Sequence, residues 1–144
     1  MPQGESLRLT RVFAAPPARV FRAWTDAEQM RHWFCPYDHW TVEAECDPRV
    51  GGAYRVAMHD PDTGTDHVAR GTYREVRPPE RLVFTWQLQG QQPPFPETLV
   101  TVEFRDLGGR TEVTLTHEAL PTPEYRERHA HGWNGCLDRL GKVL

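Results

Sequence analysis

Between Trp40 and His117 the apolar residues of this chain recur at every second position, and beyond Thr122 they recur every three or four. That change of period restricts the fold more than any other feature. Trp40, Val42, Ala44 and Cys46 share one side of a strand with Thr41, Glu43 and Glu45 on the other, and Tyr54, Val56 and Met58 alternate with Arg55 and Ala57. Further strands are predicted over 68–76, 81–89, 98–105 and 111–117. The breaks between them are turn-rich: "DPRVGG", "DPDTGTD", Arg-Pro-Pro-Glu, the proline-rich stretch from Gln92 to Pro96, and Leu-Gly-Gly. Six consecutive strands so connected form a meander. Thr122 can then cap a helix whose first residue is Pro123, and nothing interrupts it before Gly141. Such a helix is about 30 Å long.

Ahead of the meander, Leu7, Leu9 and Phe13 alternate as a first strand, ended by Ala-Pro-Pro. "PPARVFRAW" places Val20, Phe21 and Trp24 on one side of a short helix. Asp26, with Gln29 three residues on, forms a capping-box pattern for a second short helix whose Met30, Trp33 and Phe34 share a face, and Cys35-Pro36 ends it. The order is strand, two short helices, six strands, one long helix. This is an α+β chain with about seven strands in a strongly bent antiparallel sheet, whose concave apolar face needs a cover, and only the terminal helix is long enough to supply it. A chain of 144 residues has room for one such domain, taken as residues 1–144.

A net charge of −3, with both signs spread along the chain, gives no basic footprint for nucleic acid. The start "MPQGESLRLT" has no apolar core of a signal peptide, and no run approaches the length of a membrane span, so a cytoplasmic protein without membrane insertion is expected. Cys35, Cys46 and Cys136 are odd in number and far apart, which reads as free thiols. No glycine-rich phosphate loop, Ser-His-Asp signature or nucleotide fingerprint is present, and no cofactor is implied.

Five segments in order, "RVFAAPPARVFRAWTD" from Arg11, "DPRVGGAYRVAM" from Asp47, "GTYREVRPPERLVFTW" from Gly71, "VTVEFRDLGGRTEVTLTHEAL" from Val100 and "HAHGWNGCLDRL" from His129, resemble the Activator of Hsp90 ATPase homologue 1-like proteins of the START-like, or SRPBCC, superfamily. The resemblance spans nearly the whole chain. It implies a helix-grip fold, in which a curved antiparallel sheet wraps around the long C-terminal helix, often with an apolar pocket between them. It also implies several activities: a co-chaperone domain belongs to the family, and wider relatives bind lipids and hormones or cyclise polyketides. Function varies on this scaffold, so it must be argued from the site.

The richest segment for site chemistry is "RHAHGWNGCLDRLGKVL". His129, Gly132, Trp133, Cys136, Leu137, Leu140 and Leu144 follow one helical face, whereas His131, Asn134, Gly135, Asp138, Arg139 and Lys142 follow the other. The two histidines are about 200° apart around the axis and cannot share a metal ion, leaving His131 toward solvent. His32, Cys35 and His39 form a weaker ligand pattern, and no metal site is assigned. Cys136 is about 10.5 Å of helix rise from His129, too far for a thiol–imidazole pair, and reads as a small core residue. His117 shares a face with Val113 and Leu115 and points into the concave side, either as a satisfied core histidine or as a group orienting a ligand. Trp33, Phe34, Tyr54, Met58, Phe84 and Trp86 also face inward, while Glu43 and Glu45 face water.

These residues favour a domain without evident catalytic machinery that binds a small apolar or lipid-like ligand between sheet and helix. Its candidate lining is Trp33, Phe34, Tyr54, Met58, Phe84, Trp86, His117, His129, Trp133, Cys136 and Leu137, with His117, Tyr54 and His129 as polar anchors. One alternative is a module that engages an Hsp90-type chaperone. Another is a cyclase- or hydratase-like enzyme using His117 or His129 as general acid–base. A homodimer is compatible with the sequence, though no feature specifies one.

Overall fold

The computed structural model describes residues 4–90 and 94–144. Strand β1 (Glu5–Phe13) leads into helix α1 (Pro17–Thr25) and the single turn α2 (Ala27–Met30). The meander comprises β2 (Thr41–Cys46), β3 (Ala53–Asp60), β4 (Thr65–Arg77), β5 (Arg81–Leu88), β6 (Thr98–Asp106) and β7 (Thr111–Leu120), and helix α3 (Pro123–Val143) follows. All neighbours in the seven-stranded sheet are antiparallel, in the order β1-β7-β6-β5-β4-β3-β2. The sheet curves around α3 in a helix-grip fold.

Each boundary has a local cause. Helix α1 starts with Pro17, whose missing N–H costs nothing in a first turn. Thr122 caps α3, its hydroxyl accepting from the Tyr125 N–H at 3.3 Å. Asp26 caps α2, but through the N–H of Glu28 at 3.0 Å rather than that of Gln29. Because α2 ends at Met30, Trp33 and Phe34 lie in the turns that follow it and not on a helical face. Their burial comes from packing: the Trp33 indole N–H donates to the Ala23 carbonyl at 3.0 Å. Within the predicted proline-rich stretch, Gln92 and Pro93 fall outside the described residues; Phe95 beyond them is buried against Tyr125 and His129.

The grip is filled at one end and open at the other. Around Trp24, the rings of Trp33, Phe34, Phe104 and Trp133 pack at centroid distances of 4.7 to 6.4 Å. The gap between Trp24, Tyr54, Tyr73 and Phe84 measures only about 10 Å³, barely the room of one water. The first and last elements close the structure together. Arg11 on β1 bonds Asp138 at 2.6 Å and Asn134 at 3.1 Å on α3, and Arg126 on α3 reaches Glu5 at 2.6 Å.

Candidate functional site

The open end holds a cavity of about 610 Å³ between the first half of α3, the inner face of β3, β4 and β5, and the segment between α2 and β2. Alternation puts Met58 on β3, His67 on β4, and Trp86 and Leu88 on β5 at its wall. The register makes Met58 and His67 direct cross-strand partners. Helix α3 contributes Tyr125, His129, Gly132, Trp133 and Cys136, with Glu127, Arg128 and His131 at the side open to water.

The remaining wall, formed by Phe34, Pro36, Tyr37 and Trp40, has no regular structure of its own and is tied down by side chains. The Arg139 guanidinium bonds the Cys35 sulfur, and Asp38 pairs with Arg139 at 3.3 Å and with Lys142 at 3.4 Å. Gly135 lets α3 approach this segment, since a Cβ there would stand 2.6 Å from the Pro36 carbonyl oxygen. Tyr37 reaches His131 through a 2.9 Å hydrogen bond between its hydroxyl and Nε2. His131 is exposed, as its helical position predicts, yet it also belongs to the cavity rim. The Trp40 ring lies parallel to that of His67, at 3° and 5.1 Å.

Two histidines, His129 on the wall and His117 behind it, are fixed in single tautomers. The Thr98 hydroxyl donates to the Trp86 carbonyl at 2.7 Å, so toward His117 Nε2, also at 2.7 Å, it acts as acceptor. His117 therefore carries its proton on Nε2, and its Nδ1 accepts from the Trp133 indole N–H at 3.1 Å. His129 is the mirror case: Nε2 accepts from the Trp86 indole N–H at 3.1 Å, and Nδ1–H donates to the Tyr125 carbonyl at 2.8 Å. Burial holds the His117 pKa well below the usual histidine value, with neighbouring His129 adding to the effect. His129 is also lowered by burial and, more weakly, by Arg128, against the opposing bond to Tyr125. Both rings are neutral and have every nitrogen engaged, so in this arrangement neither offers a free site for proton transfer.

Of the residues singled out from sequence, Phe34, Met58, Trp86, His129, Trp133 and Cys136 line the cavity. Trp33, Tyr54, Phe84, His117 and Leu137 are buried but stand off its wall. Tyr54 and Phe84 face the filled end, where the Tyr54 hydroxyl donates to the Thr85 carbonyl. Leu137 is core, and His117 braces Trp133 from behind. Sequence reasoning did not select Pro36, Tyr37, His67, Leu88, Tyr125 or Gly132 for the wall. For Leu88 and His67 the signal existed: Leu88 continues the alternation of Phe84 and Trp86 on β5, and His67 that of Ala69 and Tyr73 on β4.

His32, Cys35 and His39 do not come together as a ligand group. Among the described residues, the only His/Asp/Glu/Cys group with metal-ligand spacing is His39, Asp60 and Asp62, whose ligand atoms lie within 4.8 Å of one another near the β3–β4 turn. His39 pairs with Asp62 at 3.0 Å, and the Asp60 carboxylate accepts from the Asp62 N–H and the Thr63 hydroxyl. These contacts account for the group without an ion. Cys35, Cys46 and Cys136 are free thiols, as expected. No helix among the described residues is long and apolar enough to cross a membrane.

A family model described as Activator of Hsp90 ATPase homolog 1-like protein matches residues 14–144. Solved structures similar to this chain include a Chromobacterium violaceum protein, 28% identical with a TM-score of 0.85, covering 96% of this chain and 95% of that one. The AHSA1 protein of Silicibacter pomeroyi is 26% identical with a TM-score of 0.84, covering 96% of both chains. A Rhizobium leguminosarum protein is 28% identical with a TM-score of 0.82, covering 95% of this chain and 91% of its own. None of the curated proteins matches.

Proposed function

The chain belongs to the Activator of Hsp90 ATPase homolog 1-like family, and from that premise we propose that it binds a small, largely apolar ligand in the cavity between α3 and the sheet. The observation that carries this reading is the contrast within one core. One end is packed to a residual gap of about 10 Å³, whereas the other keeps about 610 Å³ bounded by rings, within the usual range for small-molecule sites. His129 on the wall and His117 behind it support binding rather than chemistry, because their ring nitrogens are committed to hydrogen bonds that hold Trp86 and Trp133 in place. Polar contacts to a ligand then fall to the rim, to Tyr37, His131 and Arg128.

Thermal-shift and intrinsic-fluorescence titrations with a panel of lipids and aromatic compounds test this directly. Binding raises the melting temperature and changes the emission of Trp86 and Trp133; a panel that moves neither counts against the proposal. The family description also supports partnership with an Hsp90-type chaperone. That reading predicts faster ATP turnover by a cognate chaperone on addition of this protein, and unchanged turnover at high excess would dismiss it.

A further inference from the structure

Helix α3 contains two glycines in its middle, Gly132 and Gly135, where glycine is the least favourable residue after proline. Packing accounts for Gly135, as its approach to Pro36 shows. Nothing comparable holds at Gly132, where an added Cβ would meet no atom within 4 Å. Gly132 nevertheless lies on the cavity wall, flanked one turn either way by His129 and Cys136, which line it too. What the absent side chain preserves is space for an occupant.

The surroundings indicate what that occupant is. Rings dominate the wall: Phe34, Trp86 and Trp133 on the inner side, and Trp40 parallel to His67 across the sheet edge. We propose, building on the reading of this cavity as a ligand site, that the ligand is a planar ring compound lying against the bare α3 backbone at Gly132, and that Gly132 sets the size it accepts. A flat group can come within van der Waals contact of a helix backbone, about 3.5–4 Å, only where no Cβ intervenes. Aromatic walls favour flat partners through offset and edge-to-face contacts. A flexible acyl chain has no need of the gap and loses more rotational freedom on entering.

Fluorescence titration with 1-aminoanthracene as the planar probe and cis-parinaric acid as the chain-like probe tests both halves of the proposal. The proteins are the wild type, Gly132→Ala and Gly132→Leu, each checked by circular dichroism and melting temperature. The wild type should bind the planar probe more tightly. Gly132→Ala should raise the melting temperature by about 2–4 °C, because alanine suits the helix and has room, while weakening the planar probe. Gly132→Leu should weaken it roughly tenfold or more. If the Leu variant does not fold, the Ala variant decides by the same two readouts. Unchanged planar-probe affinity in the variants, or a lower melting temperature for Gly132→Ala, overturns the role of Gly132 and leaves the cavity proposal standing. Tighter binding of the acyl probe by the wild type overturns the ring class. Failure of the wild type to bind either probe overturns the cavity proposal itself.

Discussion

The indole N–H of Trp86 ends on Nε2 of His129, 3.1 Å away, and this bond exists only while His129 is neutral. Protonation would place a hydrogen where the ring must accept one. His117 is constrained in the same way by Trp133. Both histidines have pKa values below the ordinary 6.5, so at mildly acidic pH the unfolded chain binds protons that the folded one refuses. The stability they support is complete above pH 6.5 and is lost as pH falls below it. Melting temperature should therefore decline from pH 7.5 to pH 5, before most carboxylates titrate, and His117→Gln should flatten that decline. A profile independent of pH in this window would contradict the assigned tautomers.

Thr98→Val retains the shape of residue 98 but removes the acceptor of the His117 Nε2–H in a fully buried position. Unfolding in urea should show a loss of about 1–3 kcal/mol, the cost of a buried donor left without a partner.

Gly135→Ala should be destabilising despite the better helix propensity of alanine. Its Cβ would stand 2.6 Å from the Pro36 carbonyl oxygen and 2.8 Å from the Pro36 Cα, atoms that can move only by shifting the backbone. A net loss of about 2 kcal/mol is expected in denaturant unfolding. Gly132→Ala, one turn away, should change stability in the opposite direction.

Two buried tryptophans should respond unequally to phenylalanine. Trp33 donates to the Ala23 carbonyl, whereas the Trp24 indole N–H, buried among rings, has no hydrogen-bond partner. Trp33→Phe loses a bond along with ring volume, whereas Trp24→Phe loses volume but also removes an unsatisfied donor. Chemical denaturation should find Trp33→Phe the worse by about 1 kcal/mol.

The thiols should label in a fixed order. Desolvation raises the pKa of all three, yet Cys46 is half-exposed while Cys35 and Cys136 are buried. With an aromatic disulfide reagent at pH 8, Cys46 should react first. Cys136 borders the cavity, and a bound ligand should slow its labelling further without affecting Cys46.

The elements were readable because each face of the sheet and of α3 is coded by a simple period. Val113, Leu115 and His117 alternate, and all three are buried. What alternation reports is which face a residue takes, not how far along the sheet it lies. Tyr54 and Met58 share the inner face of one strand, yet Tyr54 enters the filled end and Met58 the cavity. The pairing of each tryptophan with a histidine was equally hidden, since it depends on side-chain rotamers across elements 16 and 43 positions apart. His131 lies well away from His129 around the helix, as the wheel places it. The wheel could not show that the segment after α2 would curl over to meet it through Tyr37.

The pairing of β1 with β7 governs the order in which the molecule can assemble. Thr10 and Thr114 face each other although 104 positions separate them, whereas every other strand pairs with its neighbour in sequence. On a ribosome, the hairpins from β2 onward can form as they emerge, but β1 has no partner until β7 has been made, and its contacts with α3 come later still. Strand β1, made before every strand it packs with, is thus among the last elements to find its place. Pulsed hydrogen exchange during refolding should protect the β3–β4 hairpin before β1.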